Sequence, residues 1–201
     1  MTGTFLPTLS GGANMASKKD QGYINIKDVD QDVIVDLKYA TSDNFTHQVV
    51  YDFKDAISRI DTVKKLANAS KALKAKGYRL KIWDAYRPTY AQRRLFEVYP
   101  DPIWVAQPDP NFSHQKGVTF DITLTDQAGN DIEMPTAFDD FTGAAKRSAK
   151  ATWSPEAQKN YDILNDAMTA AGFVGYENEW WDFRDSDADE FGPLEVDPKD
   201  Y

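Results

Sequence analysis

The stretch FSHQKGVTFDITL, residues 112–124, sets the reading of this chain. Its second half alternates, with Val118, Phe120, Ile122 and Leu124 at every other position, so GVTFDITLT (117–125) is an expected strand. Gly117 permits a tight turn before the strand, and His114 ends the loop ahead of that turn. A histidine before a turn and an aspartate, Asp121, on the strand beyond it can converge on one ion. Imidazole nitrogen with carboxylate oxygen suits zinc or a similar divalent metal. The same two residues also fit a surface histidine and a strand acid paired with Lys or Arg. Alone, the pair does not decide between them.

The flanking segments supply the rest of a sheet and its helices. VIVDLKYA (33–40) and YRLKIWDAY (78–86) alternate and are expected strands. From Lys54 to Lys76, the residues Ile57, Ile60, Val63, Leu66, Ala67 and Leu73 follow helical spacing, and Gly77 supplies a stop. Pro88 opens a short expected helix, TYAQRRLFEVY. Pro155, with Ser154 as cap, opens another that ends at Gly172. NEWWDFR (178–184) is short, aromatic and strand-like. Helices and strands are segregated rather than alternating, which implies an α+β fold with a mostly antiparallel sheet.

A chain of 201 residues is expected to form one domain. Residues 23–201 are assigned to it, with a flexible extension at 1–22 and an exposed acidic tail, DSDADEFGPLEVDPKDY. A hydrophobic fraction of 41% with 13% aromatic residues excludes a disordered chain. The absence of cysteine excludes disulfides and thiolate metal sites. With His47 and His114 the only histidines, any metal must also draw on Asp, Glu or backbone oxygen. A net charge of −9, without basic clusters among aromatics, argues against nucleic acid. No apolar run approaches the ~20 residues of a membrane span. The first residues lack the basic and apolar regions of a secretory signal, so a cytoplasmic location is expected. Nothing in the sequence sets an oligomeric state.

Two further stretches carry chemistry. WDAYRP (83–88) places Arg87 at the end of an apolar strand, where its donors can face an anion or a developing oxyanion, or pair with Asp84 or Glu97. ENEWWDF (177–183) offers Glu179 and Asp182 three residues apart. A carboxylate there can take a proton from metal-activated water and return it to a leaving amine, or be one of two solvated acids on an edge strand.

SHQKGVTFD (113–121) resembles the Ser-His-x-x-Gly-x-x-x-Asp motif of VanX-like D-alanyl-D-alanine dipeptidases, a family of zinc D,D-peptidases. WDAYRP is similar to their arginine motif, and EWWDF to their Glu-x-Trp-His motif. YATSDNFT (39–46) and MPTAFDDF (134–141) resemble further stretches, in the family's order, from about residue 23 to 185. The resemblance implies a metal site in a cleft at the sheet and hydrolysis of a small D,D-dipeptide in peptidoglycan metabolism. It implies His114 and Asp121 as metal ligands, Glu179 as general base and acid, and Arg87 as oxyanion stabiliser. Ser113 would hold the dipeptide, Asp139 its ammonium, and Tyr39 and Tyr51 would line the amino-terminal pocket. Trp180 would be a pocket wall or plain core. His47, in a turn where the family has no ligand, is an expected surface residue.

The departure is at position 182, where the family has a third histidine ligand and this chain has aspartate. Asp182 could ligate through oxygen. One imidazole and two carboxylates then neutralise the ion's formal +2 charge, and Mn2+ or Fe2+ compete with the implied Zn2+. Alternatively Asp182 falls short, leaving two ligands, or marks an inactive relative that binds D-Ala-D-Ala without cleaving it. A carboxypeptidase acting on longer peptidoglycan peptides is the remaining alternative.

Overall fold

The computed structural model describes residues 19–201. Its centre is a five-stranded sheet of β2 (Ile34–Val35), β4 (Tyr78–Asp84), β5 (Thr119–Asp126), β7 (Asp182–Asp185) and β6 (Phe173–Gly175), in that spatial order. Only β2 and β4 run parallel; the other three pairings are antiparallel. Helices α2 (Ile60–Lys74) and α4 (Pro155–Ala170) pack against each other and against the sheet, while α3 (Thr89–Val98) follows β4. This is the α+β architecture with a mostly antiparallel sheet that segregation of the elements implies.

The central strand shows why. Phe120, Ile122 and Leu124 are buried on the helix-covered face, and Thr119, Asp121 and Thr123 are buried on the other. A strand covered on both faces still alternates here because one face carries the core and the other carries the polar site. Ser154 caps α4, its Oγ accepting from the Ala157 N–H at 3.0 Å, with Pro155 in the first turn. Among the described residues, no helix is long and apolar enough to cross a membrane.

Several boundaries differ from the expected ones. The segment at 33–40 is a strand only at Ile34–Val35 and then tightens into a 3-10 turn at Lys38–Ala40. The helical spacing from Lys54 overruns its helix: β3 (Ile57–Arg59) comes first and pairs with β1 (Tyr23–Asn25). Three residues ahead of a helix, Ile57–Arg59, are too few to show a period of their own, and the partner strand decides. In NEWWDFR the strand begins only at Asp182.

Of the expected extension at 1–22, residues 1–18 lie outside the described residues. Residues 19–22 are bound into the fold: Asp20 N–H donates to Asp61 at 2.9 Å, and Gly22 C=O accepts from Ile60 N–H at 3.0 Å. The acidic tail is likewise tied down rather than loose. Phe191 is buried, Tyr23 Oη donates to Leu194 C=O at 3.1 Å, and Val196 N–H donates to Tyr86 Oη at 3.1 Å.

Lys19 and Lys65 both bind Asp187, at 2.6 and 2.8 Å, and their hydrogen bonds hold its carboxyl down to about 2. A depressed carboxylate stabilises the fold above its ordinary value of 3.8 and loses that contribution as pH falls towards 2. Asp187→Asn should therefore unfold at lower urea than the parent near neutral pH, with the gap closing between about pH 4 and 2. A gap independent of pH would show that the carboxylate's charge is not what matters.

Candidate metal centre and active site

The site is assembled by strand register. Asp121 on β5 stands opposite Asp182 on β7 and opposite Asp84 on β4. The β4–β5 register shifts between Ile82 and Asp84, and this bulge turns Asp84 onto the face that carries Asp121. Three aspartates thus form a row across the middle of the sheet. Like charges directly opposite one another are destabilising, so such a row requires cations.

Two are present. The loop before β5 closes on itself, with Gly117 N–H donating to His114 C=O at 3.0 Å and Val118 N–H to Ser113 C=O at 3.0 Å. Gly117 has φ +69°, and a Cβ there would collide with Tyr23, so glycine is needed for this turn. The turn aims His114 at the row: its Nε2 lies 3.4 Å from Asp121 Oδ1 and 3.6 Å from Asp182 Oδ2. Its Nδ1 bonds the Ala85 carbonyl at 2.9 Å, which fixes Nδ1 as donor and leaves Nε2 facing the carboxylates. Burial and then Arg87 pull the imidazole's pKa down, but Asp121 and Asp182 outweigh them and it is pushed up to about 10.

Arg87 is the second cation. Its Nε donates to Asp84 Oδ2 at 2.8 Å and its Nη1 to Gln92 Oε1 at 2.7 Å, so the pairing with Asp84 does form. Nη2 is held least firmly, at 3.3 Å from Asp121 Oδ2. Asp84, fully buried, also accepts from Tyr51 Oη at 2.6 Å. Both its oxygens are committed, which makes it a support for Arg87 rather than a free metal donor.

Arg87, Gln92, His114, Asp121 and Asp182 border a cavity of about 480 Å³. Glu179, Ser113, Tyr39, Asp139 and Trp181 also line it. Burial, reinforced by Asp182, Asp121 and Asp139, raises the Glu179 carboxyl well above the ordinary carboxylate range. Burial also pushes Asp139 up to about 8, with Asp121 adding to it. Tyr39 Oη donates to both Asp139 oxygens, at 3.2 and 3.0 Å, and Asp139 holds φ +54°, a conformation that a non-glycine residue adopts at a cost.

The donor set fits a divalent cation. Asp121 Oδ1 is buried without a hydrogen-bond partner among the described residues, an expensive arrangement unless a cation completes it. Donors bound about 2.0–2.1 Å from a tetrahedral zinc stand roughly 3.3–3.4 Å apart. The His114 separations of 3.4 and 3.6 Å match that spacing. Asp121, Glu179 and Asp182 also offer oxygens within 4.8 Å of one another. The Asp182 carboxylate thus lies close to both the His114 and the Asp121 donor atoms.

Of the two readings of Trp180, pocket wall or core, the structure has core, and Tyr51 stands off the cavity. Trp180 is fully buried behind the wall, its Nε1 donating to Thr136 Oγ1 at 2.9 Å, and Trp181 faces the cavity in its place. Both lie in the turn ahead of β7, and that turn puts Trp181 on the cavity side and Trp180 in the core. Tyr51 does not line the cavity; it anchors Asp84. His47 occupies a turn at φ +55° and does not line the cavity. Gln92 was missing from the sequence-based site and Asp84 entered it only as a possible partner of Arg87; the position of α3 and the strand register bring them there.

A family model for Peptidase_M15, described as D-ala-D-ala dipeptidase, matches residues 19–197. The chain is 36% identical to a D-alanyl-D-alanine dipeptidase of Escherichia coli K12 over 152 residues, 76% of this chain and 78% of that one. It is 29% identical to the enzyme of the same name from Enterococcus faecalis V583 over 194 residues, covering 82% and 92%. A solved structure of VanYB in complex with D-alanine-D-alanine aligns at TM-score 0.44 and 16% identity, over 67% of this chain and 74% of that one. Matched along nearly all of its described length, this chain belongs to the Peptidase_M15 D-Ala-D-Ala dipeptidase family.

Proposed function

We propose that this chain is a metal-dependent dipeptidase that hydrolyses D-alanyl-D-alanine, a building block of peptidoglycan. The observation that carries the reading is the convergence of His114 Nε2, Asp121 Oδ1 and Asp182 Oδ2 beside Glu179 in one cavity. His114, Asp121 and Asp182 would hold the ion, with Zn2+ the first candidate and Mn2+ or Fe2+ competing for a site of two carboxylates. When bound, the ion polarises the scissile carbonyl and acidifies water.

The remaining work falls to the protein. Glu179, ionised when the neighbouring site holds its cation, accepts a proton from the attacking water and delivers it to the departing amine. Arg87, held by Asp84 and Gln92, keeps Nη2 available for the developing oxyanion. Asp139 receives the substrate's free ammonium, and Ser113 borders the same cavity. Tyr39 orients Asp139 through its hydroxyl.

Protein loaded separately with Zn2+, Mn2+ and Fe2+ should release D-alanine from D-alanyl-D-alanine with at least one of them. No turnover with any, alongside measurable dipeptide binding by calorimetry, would replace this reading with the non-catalytic one. Asp139→Asn should raise KM by roughly 30-fold or more, from about 2 kcal/mol lost with one partner of a buried charge pair. An unchanged KM would remove Asp139 from the ammonium site.

A further inference from the structure

Arg147 lies outside every motif and makes the densest set of bonds to the segment bearing Glu179 and Asp182. Its Nε donates to Tyr176 C=O at 2.8 Å, and its Nη2 donates to Trp180 C=O at 3.0 Å and Asp182 C=O at 2.8 Å. Its own backbone N–H donates to Glu177 C=O at 2.9 Å. On the far side, Nη1 donates to Tyr161 Oη at 2.7 Å and Asn165 Oδ1 at 3.0 Å, both on α4. The guanidinium carbon sits 4.4 Å from the centre of the Phe183 ring. All of these acceptors are neutral oxygens.

The segment closes around that cation. Tyr176 N–H donates to Asp182 C=O at 3.1 Å, and Glu179 N–H to Tyr176 C=O at 3.3 Å. Gly175 completes the enclosure, since a Cβ there would run into the Arg147 guanidinium. A planar fork with five donors can satisfy carbonyls from three positions of a seven-residue loop at once, while tying them to α4; a lysine ammonium cannot.

We infer that Arg147 is a positioning residue of the active site: it fixes Glu179 and Asp182 relative to Asp121 by gathering the carbonyls of 176–182 and anchoring them to α4. This rests on the dipeptidase reading proposed above. Arg147 touches none of the reacting atoms, so its loss acts through Glu179 and Asp182.

Arg147→Lys tests it. In the folded variant, kcat should fall about 10–100-fold with KM nearly unchanged, and zinc affinity by chelator competition should fall by a similar factor, the range for outer-shell partners of metal ligands. Guanidinium ion added to Arg147→Ala should restore part of the lost kcat. A folded Arg147→Lys with parental kcat and zinc affinity, whatever its melting temperature, would overturn the inference. If Arg147→Lys does not fold, the doublet Tyr161→Phe with Asn165→Ala loosens the same guanidinium from outside. It should lower kcat and zinc affinity several-fold, and parental values would count as refutation. Should the parent fail to release D-alanine, the dipeptidase reading falls, and zinc affinity, which needs no turnover, decides the role of Arg147.

Discussion

Glutamine in place of Glu179 should lower kcat by about 10²–10⁴-fold, the usual contribution of a positioned acid–base group, while metal content and melting temperature should stay at parental values. The physical ground is the environment of this one carboxyl. It is raised well above the usual range by burial and by Asp182, Asp121 and Asp139 together. A cation bound beside it would bring the carboxyl back towards ionisation, so that it can take a proton from water and give it to a leaving amine. Glutamine keeps the shape and burial and removes only the exchangeable proton, so a large loss of kcat with intact metal binding isolates that role. Glu179→Asp, which draws the carboxyl back by one methylene, should fall between glutamine and parent. Measuring kcat, metal stoichiometry and thermal unfolding on the same preparations separates outcomes. A Glu179→Gln variant with parental turnover would end the assignment, and one that loses its metal would move Glu179 into the ligand set.

How much of this was legible in the sequence depended on what sets each feature. The period-two pattern of β4 and β5 and the capped amphipathic helix α4 are local, and each appears where its spacing places it. The edge strands β1 and β6 are three residues long and take their conformation from their neighbours, Ile57–Arg59 and Asp182–Asp185. No short-range pattern announces them. The site divides in the same way. His114 and Asp121 share one turn and one strand, so their convergence could be argued from spacing. The row Asp84, Asp121 and Asp182 depends on register across three strands and on a bulge after Ile82, neither of which leaves a trace in the spacing. Trp180 and Trp181 were indistinguishable because they sit in an irregular turn ahead of β7, where no period says which faces the cavity. Arg147 was invisible because its partners are backbone carbonyls, which every residue has.

Asp182→Asn should lower metal affinity by at least the 10–100-fold that outer-shell partners command, since it removes a charged first ligand. Asp182→His should move the site the other way for zinc. With aspartate, the donor set of one imidazole and two carboxylates cancels the ion's formal +2 charge; with histidine, +1 remains. A more positive centre acidifies water more strongly, and a second imidazole suits zinc better than it suits manganese. The ratio of zinc-supported to manganese-supported kcat should therefore rise by about tenfold in Asp182→His, a shift of roughly 1.4 kcal/mol in relative barrier. Geometry makes the comparison fair, because the parental carboxylate already stands 3.6 Å from His114 Nε2 and needs no strand movement to take part. Affinity read by chelator competition, before any turnover is measured, separates the two possible failures. An Asp182→Asn variant that holds metal as tightly as the parent shows that position 182 is not a ligand. An unchanged zinc-to-manganese ratio in a folded, metal-loaded Asp182→His shows that the aspartate does not set the metal's chemistry, and that its presence in place of histidine is neutral for catalysis.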